Sequence, residues 1–233
     1  MCKKAWAVAK INFRSLKTAY IITAITLIGM SSNYSVNIII ASNGPNMAEN
    51  YNISMGWVLW LLPVLASILI PARGFRRVMN LGGKRDFFHF GSLMVYAILA
   101  CVISVAVVIM DFVEVRIVEN LNWGGIFTSG NVFGWANYGV AVLLLQQFAF
   151  LFMFTAFVHT LTAIQDKWYG WVADVIIIAI ISVFSPIAPL RASLAWFFRI
   201  ILFEKPLIQI PACMVLALGI YSLNRIIFAR KAI

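Results

Sequence analysis

Apolar runs of roughly 20 residues, the length that crosses a bilayer as a helix, recur along the whole chain. That recurrence constrains the fold more than any motif does. A backbone in lipid must satisfy its own hydrogen bonds, and a helix does so within one segment. Charged residues make up only 11% of the chain and hydrophobic residues 63%, where soluble domains carry about 25% charged residues. The expectation is an all-α integral membrane protein, a single transmembrane domain over residues 1–233, with too little polar chain for a separate soluble domain. The longest strongly polar interruption is residues 73–89, RGFRRVMNLGGKRDFFH. It holds five basic residues (Arg73, Arg76, Arg77, Lys84 and Arg85) and one acid, Asp86. A basic loop between apolar spans belongs on the cytoplasmic side by the positive-inside rule.

Six spans are expected, at 18–41, 53–72, 90–110, 139–162, 171–184 and 207–227. Residues 42–52, with Glu49, read as a short external loop. In the second span Trp57 and Trp60 suit the outer interface, and Pro63 and Pro71 are placed to kink or end the helix. Residues 111–138 carry Asp111, Glu114, Arg116 and Glu119, then a run rich in Gly, Asn and aromatics; they read as an external loop that partly re-enters the interface. A polar turn at 165–167 leads to the fifth span, with Trp168, Tyr169 and Trp171 at the membrane boundary. That span stops at SPIAP, residues 185–189, because closely spaced prolines rarely continue a helix. An amphipathic piece at 190–203 follows, then a break at Glu204, Lys205 and Pro206.

Residues 1–17 read as an amphipathic helix lying in the membrane interface. Lys3, Lys10, Arg14 and Lys17 share one arc, and Trp6, Ala9, Phe13 and Leu16 share the adjoining one, with Val8 and Ile11 outside it. The alternative is a simple positive flank that sets topology. With both termini cytoplasmic, the layout puts 14 of the 18 basic residues inside and leaves Arg116, Arg191, Arg199 and Lys205 outside.

The net charge of +10 would suggest nucleic acid in a soluble protein. Here the basic residues sit beside span ends, so topology and anionic headgroups account for them, and nucleic acid is not expected as a partner. Cys2, Cys101 and Cys213 form neither metal spacing nor a disulfide framework. No cleavable signal peptide is expected. Gly82-Gly83-Lys84 resembles the end of a phosphate-binding loop, but Val78 stands at the first glycine position and Arg85 replaces the Ser or Thr that would hold magnesium. The chain is therefore not expected to hydrolyse ATP, to bind a cofactor or to act as an enzyme. His89 and His159 form no H-E-x-x-H, and no G-x-S-x-G elbow occurs.

Polar residues within the spans are isolated: Asn33, Asn37, Gln146, Gln147, His159, Asp174 and Gln209. Asp174 is a functional candidate by its position, or it reaches the interface to pair with Lys167. Gln146 and Gln147 glue helices together or line a pathway. His159 reads as interfacial. Phe148, Phe150, Phe152, Phe154 and Phe157 touch lipid and neighbouring helices, or form a substrate surface. Gln146, Gln147, Phe150, Phe154 and Asp174 make up the candidate substrate path.

In its layout the chain resembles the membrane subunits of type-2 ABC exporters. The features that carry the resemblance are the basic amphipathic helix before the first span, the six spans, the large polar loop between the second and third, and the interrupted segment before the last. The run Met79-Asn80-Leu81-Gly82-Gly83-Lys84-Arg85-Asp86-Phe87-Phe88 is similar to the loop of small bacterial permeases that export peptides, bacteriocins or phenol-soluble modulins. The resemblance implies that residues 1–17 are a connector helix, with Lys3, Trp6, Lys10, Phe13, Arg14 and Lys17 at the interface. It implies that Arg76, Arg77, Val78, Met79, Asn80, Leu81, Gly82, Gly83, Lys84, Arg85 and Asp86 form a coupling helix that sits in the cleft of a cytoplasmic ATPase. Gly82 and Gly83 would end that helix, and Phe87 and Phe88 would anchor the third span. Residues 185–206 would be an external re-entrant element. It further implies a second identical or related permease subunit, ATP and magnesium on the partner ATPase, residence in the plasma membrane, and an amphipathic peptide or other hydrophobic cargo. Such permeases share no substrate motif, and the Gly-rich loop here is larger than in a minimal member.

Three other classes make different demands. A membrane-embedded enzyme would need polar residues facing one another inside the spans. A scaffold or sensor would have little reason for so basic a loop. An ion-driven transporter would show inverted repeats and helices broken at mid-membrane.

Overall fold

The apolar runs fold as helices, and the turns fall where Gly and Pro punctuate them. The computed structural model describes residues 2–43, 51–121, 125–165 and 167–229. Glu49, Asp166, Arg230, Lys231 and the 122–124 part of the Gly-rich loop lie outside the described residues. The helices are α1 (Cys2–Ser15), α2 (Lys17–Asn43), α3 (Gly56–Asn80), α4 (Arg85–Leu121), α5 (Val140–Ile164), α6 (Trp168–Phe184), α7 (Ala188–Phe203) and α8 (Pro206–Ala229). Two short strands, β1 (Tyr51–Ile53) and β2 (Gly125–Phe127), pair in parallel, with Tyr51 opposite Gly125 and Ile53 opposite Phe127. Among the described residues the regular structure is helical apart from this small ladder, which the all-α expectation did not contain.

The core lies where α3, α4, α5 and α8 meet, with α1 laid against α4. Small residues let these helices approach closely: Ala66, Ala100, Ala149, Ala156 and Ala217 are all buried. By contrast α6 buries only Gly170, and α7 buries nothing before its last turn. Most of α2 is exposed too, including Ile21, Ile25, Ile28 and Val36.

Among the described residues four helices, α3, α4, α5 and α8, are long and apolar enough to cross a membrane, and five if the α6–α7 pair is one span. This is fewer than the expected six. The difference is α2 (Lys17–Asn43), whose 27 residues suffice in length but which is not among the four. The α6–α7 pair bends by 117° at the expected proline break, because Pro186 and Pro189 supply no backbone N–H to carry a helix across.

Two expected boundaries move. Helix α3 does not end at residue 72. It passes Pro63, absorbs Pro71 in a π turn (Ile70–Gly74), and continues to Asn80. A π turn is the local remedy when a proline removes one rung of the helical ladder. Helix α4 does not stop at residue 110 but runs on through Asp111, Glu114 and Glu119 to Leu121. Its 37 residues span about 55 Å, well beyond the roughly 30 Å of a hydrocarbon core. No Gly or Pro interrupts residues 92–121, and the buried positions Val107, Asp111, Glu114 and Val118 keep helical spacing through the acids.

Candidate functional site

Three groups of polar residues stand out among the described residues: a basic corner where α3 turns into α4, a buried seam between α4, α5 and α8, and an acidic knot beside the ladder.

At the corner the expected loop is mostly helix. Arg73, Arg76 and Arg77 ride exposed on the end of α3, and Arg85 and Asp86 open α4. Residues 76–86 are therefore not one coupling helix: Arg76 to Asn80 belong to α3, and only Leu81, Gly82, Gly83 and Lys84 form the connection. The Gly82 N–H donates to Met79 O and the Gly83 N–H to Val78 O, each at 2.9 Å. This pair of bonds is the Schellman termination, which needs a left-handed residue just past the helix. Gly82 supplies it at φ 76°, so the expected helix end at these glycines agrees with the structure. Gly83 is required sterically, since a Cβ there would lie 2.5 Å from Val78 Cγ1. Leu81 stands exposed at the tip, and Val78 points inward.

Beneath the corner Phe75, Phe88 and Phe228 pack ring against ring, with centroids 5.0–5.3 Å apart. They lock the ends of α3, α4 and α8 together. Helix α1 joins them. A Cβ at Gly91 would meet Val8 Cγ1 at 2.8 Å, so the two helices pack almost backbone to backbone. The face of α1 that packs inward is Ala5, Val8, Ala9, Asn12 and Leu16, at successive helical spacings. The expected apolar arc is thus corrected. Val8 is buried, Phe13 is half-buried and Trp6 is exposed. Lys3, Lys10, Arg14 and Lys17 are exposed as expected, and Lys4 Nζ lies 5.7 Å from the centre of the Phe87 ring.

The buried seam begins at the corner and runs inward. Ser92 Oγ and Tyr221 Oη are 2.6 Å apart, and Tyr221 Oη donates to His89 O at 2.9 Å. Tyr96 Oη and His159 Nδ1 are 2.5 Å apart, so His159 is a buried partner of α4 and not the interfacial residue expected. Asn224 Nδ2 donates to Thr160 Oγ1 at 2.9 Å. Farther along α5, Gln146 and Gln147 are fully buried, and neither amide has a hydrogen-bond partner among the described residues. Leaving a polar group so costs about 1–3 kcal/mol. Gln209 donates to Ile201 O at 3.1 Å, tying α8 back to the end of α7.

The acidic knot sits at the far end of α4. Ser54 Oγ donates to Asp111 Oδ1 at 2.6 Å, Ser129 Oγ to Asp111 Oδ2 at 3.3 Å, and the Met55 N–H to Glu114 Oε1 at 2.9 Å. Trp57 Nε1 donates to Phe127 O at 2.9 Å, so Trp57 is held by the ladder as well as by its ring neighbours Trp60 and Phe133. The Gly-rich stretch is anchored through Trp135, whose Nε1 donates to Leu202 O at 2.8 Å.

The structure divides the candidate substrate path. Gln146 and Gln147 are together inside the bundle. Phe150 and Phe154 stack at 6.0 Å, and Phe150 also meets Trp60 and Phe133. Asp174 is elsewhere. It accepts from Gln165 Nε2 at 2.7 Å at the α5–α6 turn, so the expected Lys167 pairing is replaced by an amide. Sequence reading missed His89, Ser92, Tyr96, Tyr221 and Asn224. Their signal was spacing: 89, 92 and 96 share one face of α4, and 221, 224 and 228 share one face of α8. Among the described residues no group of three or more His, Cys, Asp or Glu is placed to hold a metal ion. No protein-family model matches the chain, and neither a curated protein nor a solved structure matches it.

Proposed function

We propose that the chain is the permease subunit of an ATP-driven type-2 ABC exporter, crossing the plasma membrane six times with both termini cytoplasmic. The observation that carries this reading is the basic corner. Helix α1 packs into the junction of α3 and α4, giving one rigid face from which Arg76, Arg77, Leu81 and Lys84 project. A chain that drives transport without a nucleotide site of its own needs such a face, because force from a separate ATPase must enter through a stiff element.

In this reading α2 is the first span and its polar outer half faces a protein partner or water. Helices α6 and α7, bent by 117°, are the last upward span and the re-entrant return before α8. ATP and magnesium stay on the partner ATPase. The exposed apolar faces of α2, α6 and α7 meet lipid and a second permease subunit. The cargo is an amphipathic peptide or similar hydrophobic molecule, and Gln146 and Gln147 are the amides that a conformational change would present to it.

The test is co-purification with an ATPase that carries a phosphate-binding loop. The triple variant R76Q/R77Q/K84Q is expected to insert normally and to lose most ATPase association. Equal association and equal stimulated turnover in the variant would sink the coupling role.

The buried seam favours a second reading, a membrane-embedded enzyme, because His89, Ser92, Tyr96, His159 and Tyr221 do face one another inside the helices. The bonding argues for packing instead. Ser92 Oγ donates to Phe88 O and His89 O, and the imidazole of His159 is bonded to Tyr96. A nucleophile would need an imidazole or carboxylate within reach as its base. Ser92→Ala would abolish an enzymatic activity but leave ATPase association intact.

A further inference from the structure

Between the first turns of α4 and the last turns of α8 lies a cavity of about 340 Å³ at the basic end, lined by Arg85, Asp86, His89, Arg225 and Phe228. Two guanidiniums border it. The carboxylate among them is already engaged: Arg225 Nε lies 3.3 Å from Asp86 Oδ1. His89 is only 7% exposed, yet its Nδ1 has no hydrogen-bond partner among the described residues. The cavity also faces the start of a 37-residue helix, where backbone N–H groups and the helix dipole favour an anion. Phe228 gives it an apolar wall.

We infer that this cavity is a binding site for a phosphate group. Arginine forks match phosphate oxygens two at a time, and the His89 ring forms part of the cavity wall beside them. The apolar wall and the volume leave room for the carbon skeleton that bears the phosphate. Two sources present this chemistry at the end of a membrane-crossing bundle: the headgroup of an anionic lipid, for which basic pockets between helices are suited, and a soluble phosphate. The site does not depend on the exporter reading, and the experiment uses this chain alone.

The full-length protein in neutral detergent would be titrated with phosphatidylglycerol, with phosphatidylcholine, and separately with inorganic phosphate and glycerol 3-phosphate. Retained lipid would be read by native mass spectrometry, and soluble ligands by calorimetry. For a lipid occupant the expectation is selective retention of phosphatidylglycerol. Retention would drop at least tenfold in Arg225→Gln and in His89→Phe, which keeps the ring contact with Tyr221. It would stay unchanged in Lys167→Gln, an equal loss of charge at the same end. For a soluble occupant the same variants would abolish phosphate or glycerol 3-phosphate binding with no lipid preference. Either pattern supports a phosphate site. Absence of binding by the unmodified protein in both arms overturns it, as does an equal loss in Lys167→Gln, which would reduce the effect to general surface charge.

Discussion

The two ends of α4 handle charge in opposite ways. At the basic corner charge is displayed, even in the exposed Arg225–Asp86 pair, and the buried packing comes from groups that carry none: the Schellman turn, the Phe75–Phe88–Phe228 stack and the close packing of α1. At the ladder end two acids are hidden, and they do the fastening: Asp111 and Glu114 are 7% and 2% exposed and bind the segment that leads into α3. Under the proposed coupling role, the exposed Arg76, Arg77 and Lys84 are the side chains the corner presents. The ladder end instead turns Asp111 and Glu114 inward to close the fold.

The contrast breaks most readily at the aromatic stack. Phe88→Ala is expected to cost about 3–5 kcal/mol, seen as the largest drop in thermal unfolding temperature in detergent. A small drop would mean that the exposed arginines, and not the rings, hold the corner. At the other end Asp111→Ala is expected to cost about 1–3 kcal/mol, since it strands the Ser54 and Ser129 hydroxyls. Asp111→Asn should recover part of that loss by keeping an acceptor. If both variants were neutral by the same unfolding measurement, the ladder would be held by its backbone bonds alone. The smallest effect tests the turn. Gly82→Val forces a β-branched residue to φ 76° and is expected to cost about 1–2 kcal/mol, whereas Gly82→Asn costs less because Asn tolerates this region. Equal losses for Val and Asn would show that space, and not backbone conformation, limits the position.

Much of this was legible in the sequence, and the reasons it stopped are local. Apolar run length located the helices, the SPIAP interruption located the α6–α7 bend, and Gly82 located the end of α3. What failed was the separation of the charged stretches from the spans beside them. Arg76 and Arg77, expected on a separate coupling helix, continue α3 because nothing before Gly82 stops it, and Asp111 and Glu114 continue α4 because they keep the register of Val107 and Val118. Pro71 misled in the same direction, since a π turn lets the chain pass it. The seam was harder. His89 and His159 are far apart in the chain, and only the packing of α4 and α8 on α5 shows that Tyr96 meets one and Tyr221 the other. The ladder could not be foreseen, because three-residue strands carry too little pattern.

That ladder has a mechanical consequence. Helices α3 and α4 are joined at one end by the four-residue turn and at the other by β1 on β2, with Ser54 and Met55 fastened to α4 itself. A pair closed at both ends cannot scissor open. A displacement of the turn at Leu81 is therefore shared by both helices, like the two rails of a ladder. The thinly packed pieces are α2 and the bent α6–α7 arm, which bury few of their side chains against this pair.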